Sequence, residues 1–420
     1  MLRWLSGLAT SLVGNHIYLV ALSWAAVQTT TPANVGLILV CGSIPQAVLL
    51  LLGGVFVDRF GPKRIIIASD LLRTVLMIAF AWVVRDQVGP LLLAALAVAF
   101  GIVNGFFVPA ISTAPRYLAG RASITQITAA KTVVARAAEF AGAPLGSWLI
   151  VVASVAAAFW VNVGLFAVSV VFLLLTRMGS PAGDPAPDPT SDPVDGRPRR
   201  VRSVRSDLVS GARVMAGHRT LARLLVVVFV MELGFSGPMM AGVPLLAQET
   251  GWGVRTVGWV LGGFGLGAAA AAGWLTWRKG VRRTGCAICA GLLAMGLSVV
   301  GLGVLPAVGL SVSASVVVAG LLGLASGLGA GFGGTLISSA VLQLAPVGQV
   351  GRVMSILSFS SLAAVPVTYA VTGLVTDRLS AAVPFFGGGV LVLAAALLAV
   401  LSPRVRRMIA SDADRVSASA

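Results

Sequence analysis

The residues able to do chemistry are few, and most of them lie inside apolar runs. Glu232 sits near the middle of the run 219–247, with no basic residue within a helical turn. A carboxylate at that depth is costly to keep charged and is a functional candidate by default. It can take up a proton or hold a cationic ligand, and the two compete. His16, beside Asn15 in the first run, is a second candidate for proton transfer. Asn104 offers a polar contact to a ligand, and Tyr18, Trp24, Phe106, Phe235, Trp259 and Phe332 are candidates for an aromatic wall. Two pairs, Asp70 with Arg73 and Arg136 with Glu139, stand three residues apart, which places each pair on one face of a helix. They read as internally neutralised pairs that hold a bundle together.

What must position these groups is set by composition. The chain has 420 residues, of which 57% are apolar and 10% charged, against roughly a quarter charged in soluble domains. Runs of about 20 apolar residues, the length that crosses a bilayer, recur throughout. They predict spans at 4–27, 35–57, 65–84, 90–112, 129–153 and 155–177, then at 219–247, 252–276, 284–306, 312–342, 352–376 and 381–402. The expected fold is an all-α membrane protein of twelve transmembrane helices in two six-helix halves. Residues 1–177 form the first bundle and 219–402 the second. Between them, 178–218 reads as a Pro-rich linker with a short amphipathic surface helix at 207–217, and 403–420 as a tail.

The net charge of +16 invites a nucleic-acid reading. Its distribution removes the need for one. With the first residue placed in the cytoplasm, only Arg85, Arg255 and Arg378 of the 30 basic residues fall on the opposite side, and Arg73, Lys131 and Arg136 fall within spans. That is the positive-inside pattern, with both termini cytoplasmic. The arginines near 197–205 are placed to meet anionic lipid headgroups. The first run exceeds a signal-peptide core of about 7–15 residues and is kept as a span. Three cysteines, Cys41, Cys286 and Cys289, make no disulfide framework and no metal site. Two histidines and no paired aspartate motif leave little for a membrane-embedded lipid-modifying enzyme. The glycines from Gly320 to Gly334 suit close helix contact or a bend at a gate. No G-K-[ST] follows them, which argues against ATP.

After the second run comes Gly54-Val-Phe-Val-Asp58-Arg59-Phe-Gly61-Pro-Lys63-Arg64. Gly54 admits a neighbouring helix, Gly61 serves a tight turn, Asp58 suits a helix N-terminus, and the basic residues suit carboxylates or lipid phosphates. The string returns in degraded form at an offset of 219 residues, as Gly273, Arg278, Gly280, Arg282 and Arg283, with Trp277 in place of the acid. With this motif between the second and third runs and the internal duplication, the sequence resembles the major facilitator superfamily. Asp70-Leu-Leu-Arg73, the stretch from Asp207 to Arg213 with His218 and Leu221, and Gly351-Arg352-Val-Met with Pro366 resemble the drug and macrolide efflux branch related to the enterobactin exporter. Where such relatives carry Gly-Asp in the first span this chain has Gly14-Asn15, and the antiporter motif of span five is incomplete at Gly142–Ser147.

The resemblance implies alternating access, with spans one, four, seven and ten around a midplane cavity. It implies a secondary transporter, not an enzyme, in a bacterial-type cytoplasmic membrane. The expected task is export of a small amphipathic or hydrophobic compound in exchange for protons, driven by the proton gradient without a cofactor. An uncoupled facilitator or a lipid flippase of the same fold is the alternative. The expected partners are the small-molecule substrate and membrane lipids, without nucleic acid or an obligatory protein. The Asp58–Arg59 loop is expected to act as a gate against the end of span eleven near Arg352.

Overall fold

The computed structural model describes residues 1–83, 89–118, 123–176, 178–179, 219–278, 284–344 and 350–401. Long helices account for nearly all of them. The first six are α1 (Leu2–Thr29), α2 (Pro32–Phe60), α3 (Pro62–Val83), α4 (Pro90–Leu118), α5 (Ile124–Val152) and α6 (Val155–Leu174). α7 is one rod in three pieces: Arg219–Gly237, a π-helical turn at Pro238–Gly242, and Val243–Glu249. Then come α8 (Val254–Trp277), α9 (Thr284–Val304), α10 (Val312–Leu344), α11 (Val350–Arg378) and α12 (Val383–Leu401). Among the described residues eleven helices are long and apolar enough to cross a membrane. The other long helix is α5, which has 29 residues and carries Lys131, Arg136 and Glu139.

Local chemistry sets the ends of these rods. Pro32, Pro62 and Pro90 open α2, α3 and α4, a position where the missing N–H has no helical partner to lose. Ser123 and Gln126 form a reciprocal capping box at the start of α5. Gly61, at φ 80°, makes the sharp turn between α2 and α3 that its place in the motif suggests. Asp58 falls in the last turn of α2 and not at the start of α3, because the helix runs on to Phe60.

The helices pack in two sets with the same pattern. In the first set α1 lies against α5 and α6, α3 against α4 and α6, and α2 against α4. In the second, α7 lies against α11 and α12, α9 against α10 and α12, and α8 against α10. Adding six to each helix number of the first set gives the second, which is the duplication visible in the glycine and basic spacing. Two main seams join the halves, α2 on α11 and α5 on α8, with smaller contacts from α1 to the end of α7 and to α8. Glycine makes both close: Gly36 meets Gly373 across the first, and Gly258 and Gly262 meet Pro144 across the second.

α10 is longer than a bilayer crossing needs, at 33 residues, and is helical throughout, so none of it is loop. Gly320, Gly323, Gly327 and Gly331 face α8, and Gly329 faces α9 at Gly291. These glycines are closely packed against neighbouring helices.

Burial is uneven along the bundle axis. At the end remote from Met1 the buried residues form one cluster drawn from both halves, including Tyr18, Trp24, Val35, Met239, Val257 and Phe385. At the Met1 end there are two separate clusters, one around Trp4, Val57 and Phe107 and one around Leu224, Ile337 and Ile356. The halves therefore share a core at one end only, and the space between them is closed there.

Candidate functional site

A cavity of about 450 Å³ lies between the halves, lined from α1, α2, α4, α7, α8, α9, α10 and α11. Its volume suits a drug-sized molecule. Its walls carry Phe100, Phe107, Phe235, Phe264, Tyr18 and Tyr369, with Met231, Met239, Met240 and Met295 between them. Rings give flat apolar contact, and methionines fill irregular gaps without fixing one ligand shape. Polar groups are sparse: Asn15, Ser23, Ser43, Gln46, Asn104, Ser236 and Glu232.

Glu232 supplies the carboxylate of this wall. Ser236 Oγ, one turn further along α7, donates to its Oε2 at 2.6 Å. The ion pairs found among the described residues lie elsewhere and do not involve it. Tyr369 of α11 lies within its electrostatic reach. The π-helical turn begins six residues after Glu232, at Pro238, whose missing N–H interrupts the regular ladder. There the Val243 N–H bonds back to Pro238 O. Gly234 and Gly237 bring this stretch tightly against Gly388 of α12 and Thr368 of α11. The acid thus stands on a helix that is both irregular and closely packed.

The other residues singled out from sequence divide. Asn15 and Asn104 line the cavity with Glu232, and Asn15 Oδ1 is buried with no hydrogen-bond partner among the described residues. His16, one residue on, does not line it; it faces α5, where a side chain at Gly142 would collide with its Cβ. Arg136 and Glu139 are the charges acting on it. They pair with each other at 2.8 Å and are partly exposed. Of the proposed aromatic wall, Tyr18 and Phe235 reach the cavity. Phe106 packs on Phe56, Phe332 on Trp274, Trp24 sits in the shared core, and Trp259 is 62% exposed. Phe100, Phe107, Phe264 and Tyr369 take the vacant places; all four sit in helices whose phase around the bundle is not readable from one sequence.

The second pair is wholly buried. Arg73 Nη1 meets Asp70 Oδ1 at 2.9 Å, and both side chains are 0% exposed. Ser11 Oγ donates to Asp70 Oδ1 at 2.8 Å and Ser169 Oγ to Oδ2 at 2.6 Å. Arg73 Nη2 donates to Asn104 Oδ1, and the guanidinium lies 3.9 Å from the centre of the Phe107 ring. One ion pair therefore ties α1, α3, α4 and α6 together, with every carboxylate oxygen satisfied.

The loop motif behaves differently from its residue-by-residue reading. Lys63 Nζ donates to Thr176 O at 2.6 Å and Leu174 O at 3.3 Å, so it caps the end of α6 where helix carbonyls are free, in place of a carboxylate or lipid phosphate. Arg59 lies over Phe60, and Arg64 is exposed. A side chain at Gly54 would meet nothing within 4 Å; the close helix approach is made one residue earlier, by Gly53 against Gly105 and Pro109. The side chains of Asp58 and Arg352 lie outside the described residues, as do Gly280, Arg282, Arg283 and the 207–217 segment. In the degraded copy Gly273 also faces open space, and Arg278 ends α8 beside Trp274 and Trp277.

The family model of the Major Facilitator Superfamily matches residues 4–326. The chain is 23% identical over 406 residues to the "uncharacterized MFS-type transporter YfiS" of Bacillus subtilis (strain 168), covering 94% of this chain and 91% of that protein. Among solved structures it is similar to a variant of the nucleoside transporter NupG, with a TM-score of 0.71 at 12% identity over 95% of this chain and 98% of that one. It is similar to a D-xylose–proton symporter at TM-score 0.68 and 12% identity, over 95% and 96%. A human organic anion transporter, MFSD10, aligns at TM-score 0.64 and 19% identity, over 94% and 98%. These substrates differ widely, so the likeness speaks for the fold.

Proposed function

Because the chain belongs to the Major Facilitator Superfamily, we propose that it exports hydrophobic or amphipathic cations from the cell by proton antiport, with Glu232 as the group that exchanges one for the other. The observation that carries this is the makeup of the cavity: among the described residues, one carboxylate, in no ion pair, in a wall of rings and methionines. A cation gains Coulombic attraction there that a neutral molecule does not, and aromatic faces add to it. A proton on Glu232 removes that attraction and releases the cation.

The end holding Met1 is taken as cytoplasmic, since the basic residues gather there. The described state then faces the cytoplasm, with the shared core closing the outer end. Export requires the α2–α11 and α5–α8 seams to part while the Met1 ends of the halves close, a rocking of one half on the other. The Asp58–Arg59 loop and the start of α11 are the segments that would meet in the closed form. The ion pair of Asp70 and Arg73 keeps the first half rigid through that motion.

The test is accumulation of lipophilic cations and macrolides in an efflux-deficient bacterial host expressing the chain. Export of the cations that a protonophore abolishes, and that Glu232→Gln removes, supports the reading. Export unchanged by both would replace it with an uncoupled facilitator.

A further inference from the structure

Arg73 reaches beyond its ion pair to the wall of the cavity. While Nη1 holds Asp70, Nη2 donates to Asn104 Oδ1. A guanidinium has donors and no acceptor, so the carboxamide of Asn104 has to turn its oxygen toward it. The amino end of the amide is then left for the cavity that Asn104 lines. Among the described residues no hydrogen bond from that end is found. The orientation is held from behind by Phe107 under the guanidinium, and by Ser11 and Ser169 on Asp70. It exists before any ligand arrives.

We propose that Asn104 is a fixed hydrogen-bond donor that selects, among cations, those bearing a carbonyl, ester or ether oxygen. This rests on the cation-export reading and names the second feature its substrate carries. An amide free to rotate offers either its oxygen or its N–H and discriminates little. Arg73 removes that choice, so a ligand acceptor is matched and a ligand donor is left facing a donor. Asn104 stands on α4 in the first half and Glu232 on α7 in the second. A molecule that satisfies both spans the interface between the halves and contacts both parts that must rock.

The experiment uses the full chain in liposomes and two triphenylphosphonium cations that differ at one position. The 4-oxopentyl compound carries a ketone where the 4-methylpent-4-enyl compound carries a methylene of nearly the same shape. The readout is the ratio of the two transport efficiencies within one preparation, so differences in the amount of folded protein cancel. Wild type should prefer the ketone by about fivefold, the factor that the typical net worth of one hydrogen bond corresponds to. Asn104→Leu should bring the ratio close to unity. Asp70→Asn with Arg73→Met, which removes the pair without leaving a bare buried charge, should lower the ratio although Asn104 is still present. A ratio of unity in wild type with Glu232-dependent transport of both cations overturns the donor role and leaves the export reading standing. A preference that survives Asn104→Leu also overturns it. If wild type moves neither cation, the cation reading fails and the donor role falls with it.

Discussion

Removing Arg73 while keeping Asp70 is the most informative perturbation of the first half. Arg73→Met replaces the guanidinium by an apolar chain. It leaves the Asp70 carboxylate 0% exposed, with Ser11 and Ser169 as its remaining hydrogen-bond partners. Breaking one side of a buried ion pair costs about 3–5 kcal/mol, because the surviving charge has neither water nor a counter-ion. Asn104 Oδ1 also loses its donor, at about 1 kcal/mol. Adding Asp70→Asn removes the stranded charge and keeps an amide that both serines can still meet. Exchanging a whole buried pair for neutral groups is often close to neutral, so the double variant should lose only about 1–2 kcal/mol, mostly the Asn104 bond and the ring contact. The assay is thermal or denaturant unfolding of the purified chain in detergent, followed by the retained monodisperse fraction. The expected order is wild type, then the double variant, then Arg73→Met. If the single and double variants are equally stable, Asp70 is not a stranded charge in Arg73→Met and the ion pair does not hold this network together.

Other outcomes follow from the packing. A side chain at Gly101 falls on the backbone of Gly42 at the α2–α4 contact, so Gly101→Leu should cost about 1–3 kcal/mol or more and lower the folded yield. Gly54→Leu, facing open space, should leave the folded yield near that of wild type in the same size-exclusion assay. Lys63→Ala removes a cap on α6 and should cost about 0.3–1 kcal/mol, read as a small drop in unfolding midpoint. The Ala33 N–H lies 3.5 Å from Asp377 Oδ1 at the end remote from Met1, where the halves share a core. Cysteines placed at both positions should cross-link under oxidant and stop transport, with recovery on reduction. Failure to cross-link would mean the halves are parted at this end in the membrane.

How much of this was readable beforehand depends on what kind of signal each feature leaves. Apolar run length is a one-dimensional property, so the helices fall close to their expected limits, and Pro62 and Gly61 mark the α2–α3 turn directly. The three-residue spacings of Asp70 with Arg73 and of Arg136 with Glu139 also survive, since i,i+3 neighbours meet on any helix. What a helix faces is not one-dimensional. His16 and Asn15 are adjacent, yet one faces α5 and the other the cavity. The same limit hid Tyr369 and Gln46, and it put the close approach at Gly54 in place of Gly53. Lys63 ended on the carbonyls of α6, more than a hundred residues away in sequence, a partner no local spacing announces. Ser236 was within reach of sequence reasoning, because a hydroxyl four residues after an acid lies on the same face.

The mutual exclusion of a proton and a cation at Glu232 is the step on which the proposed antiport turns. Its most direct measurement is proton release on binding of tetraphenylphosphonium to the purified protein, taken by calorimetry in buffers of different ionisation enthalpy at a series of pH values. Wild type is expected to give up protons as the cation binds, with affinity strengthening as pH rises, while Glu232→Gln shows neither effect. Cation binding by wild type without proton release at any pH, or the same release from Glu232→Gln, would contradict it.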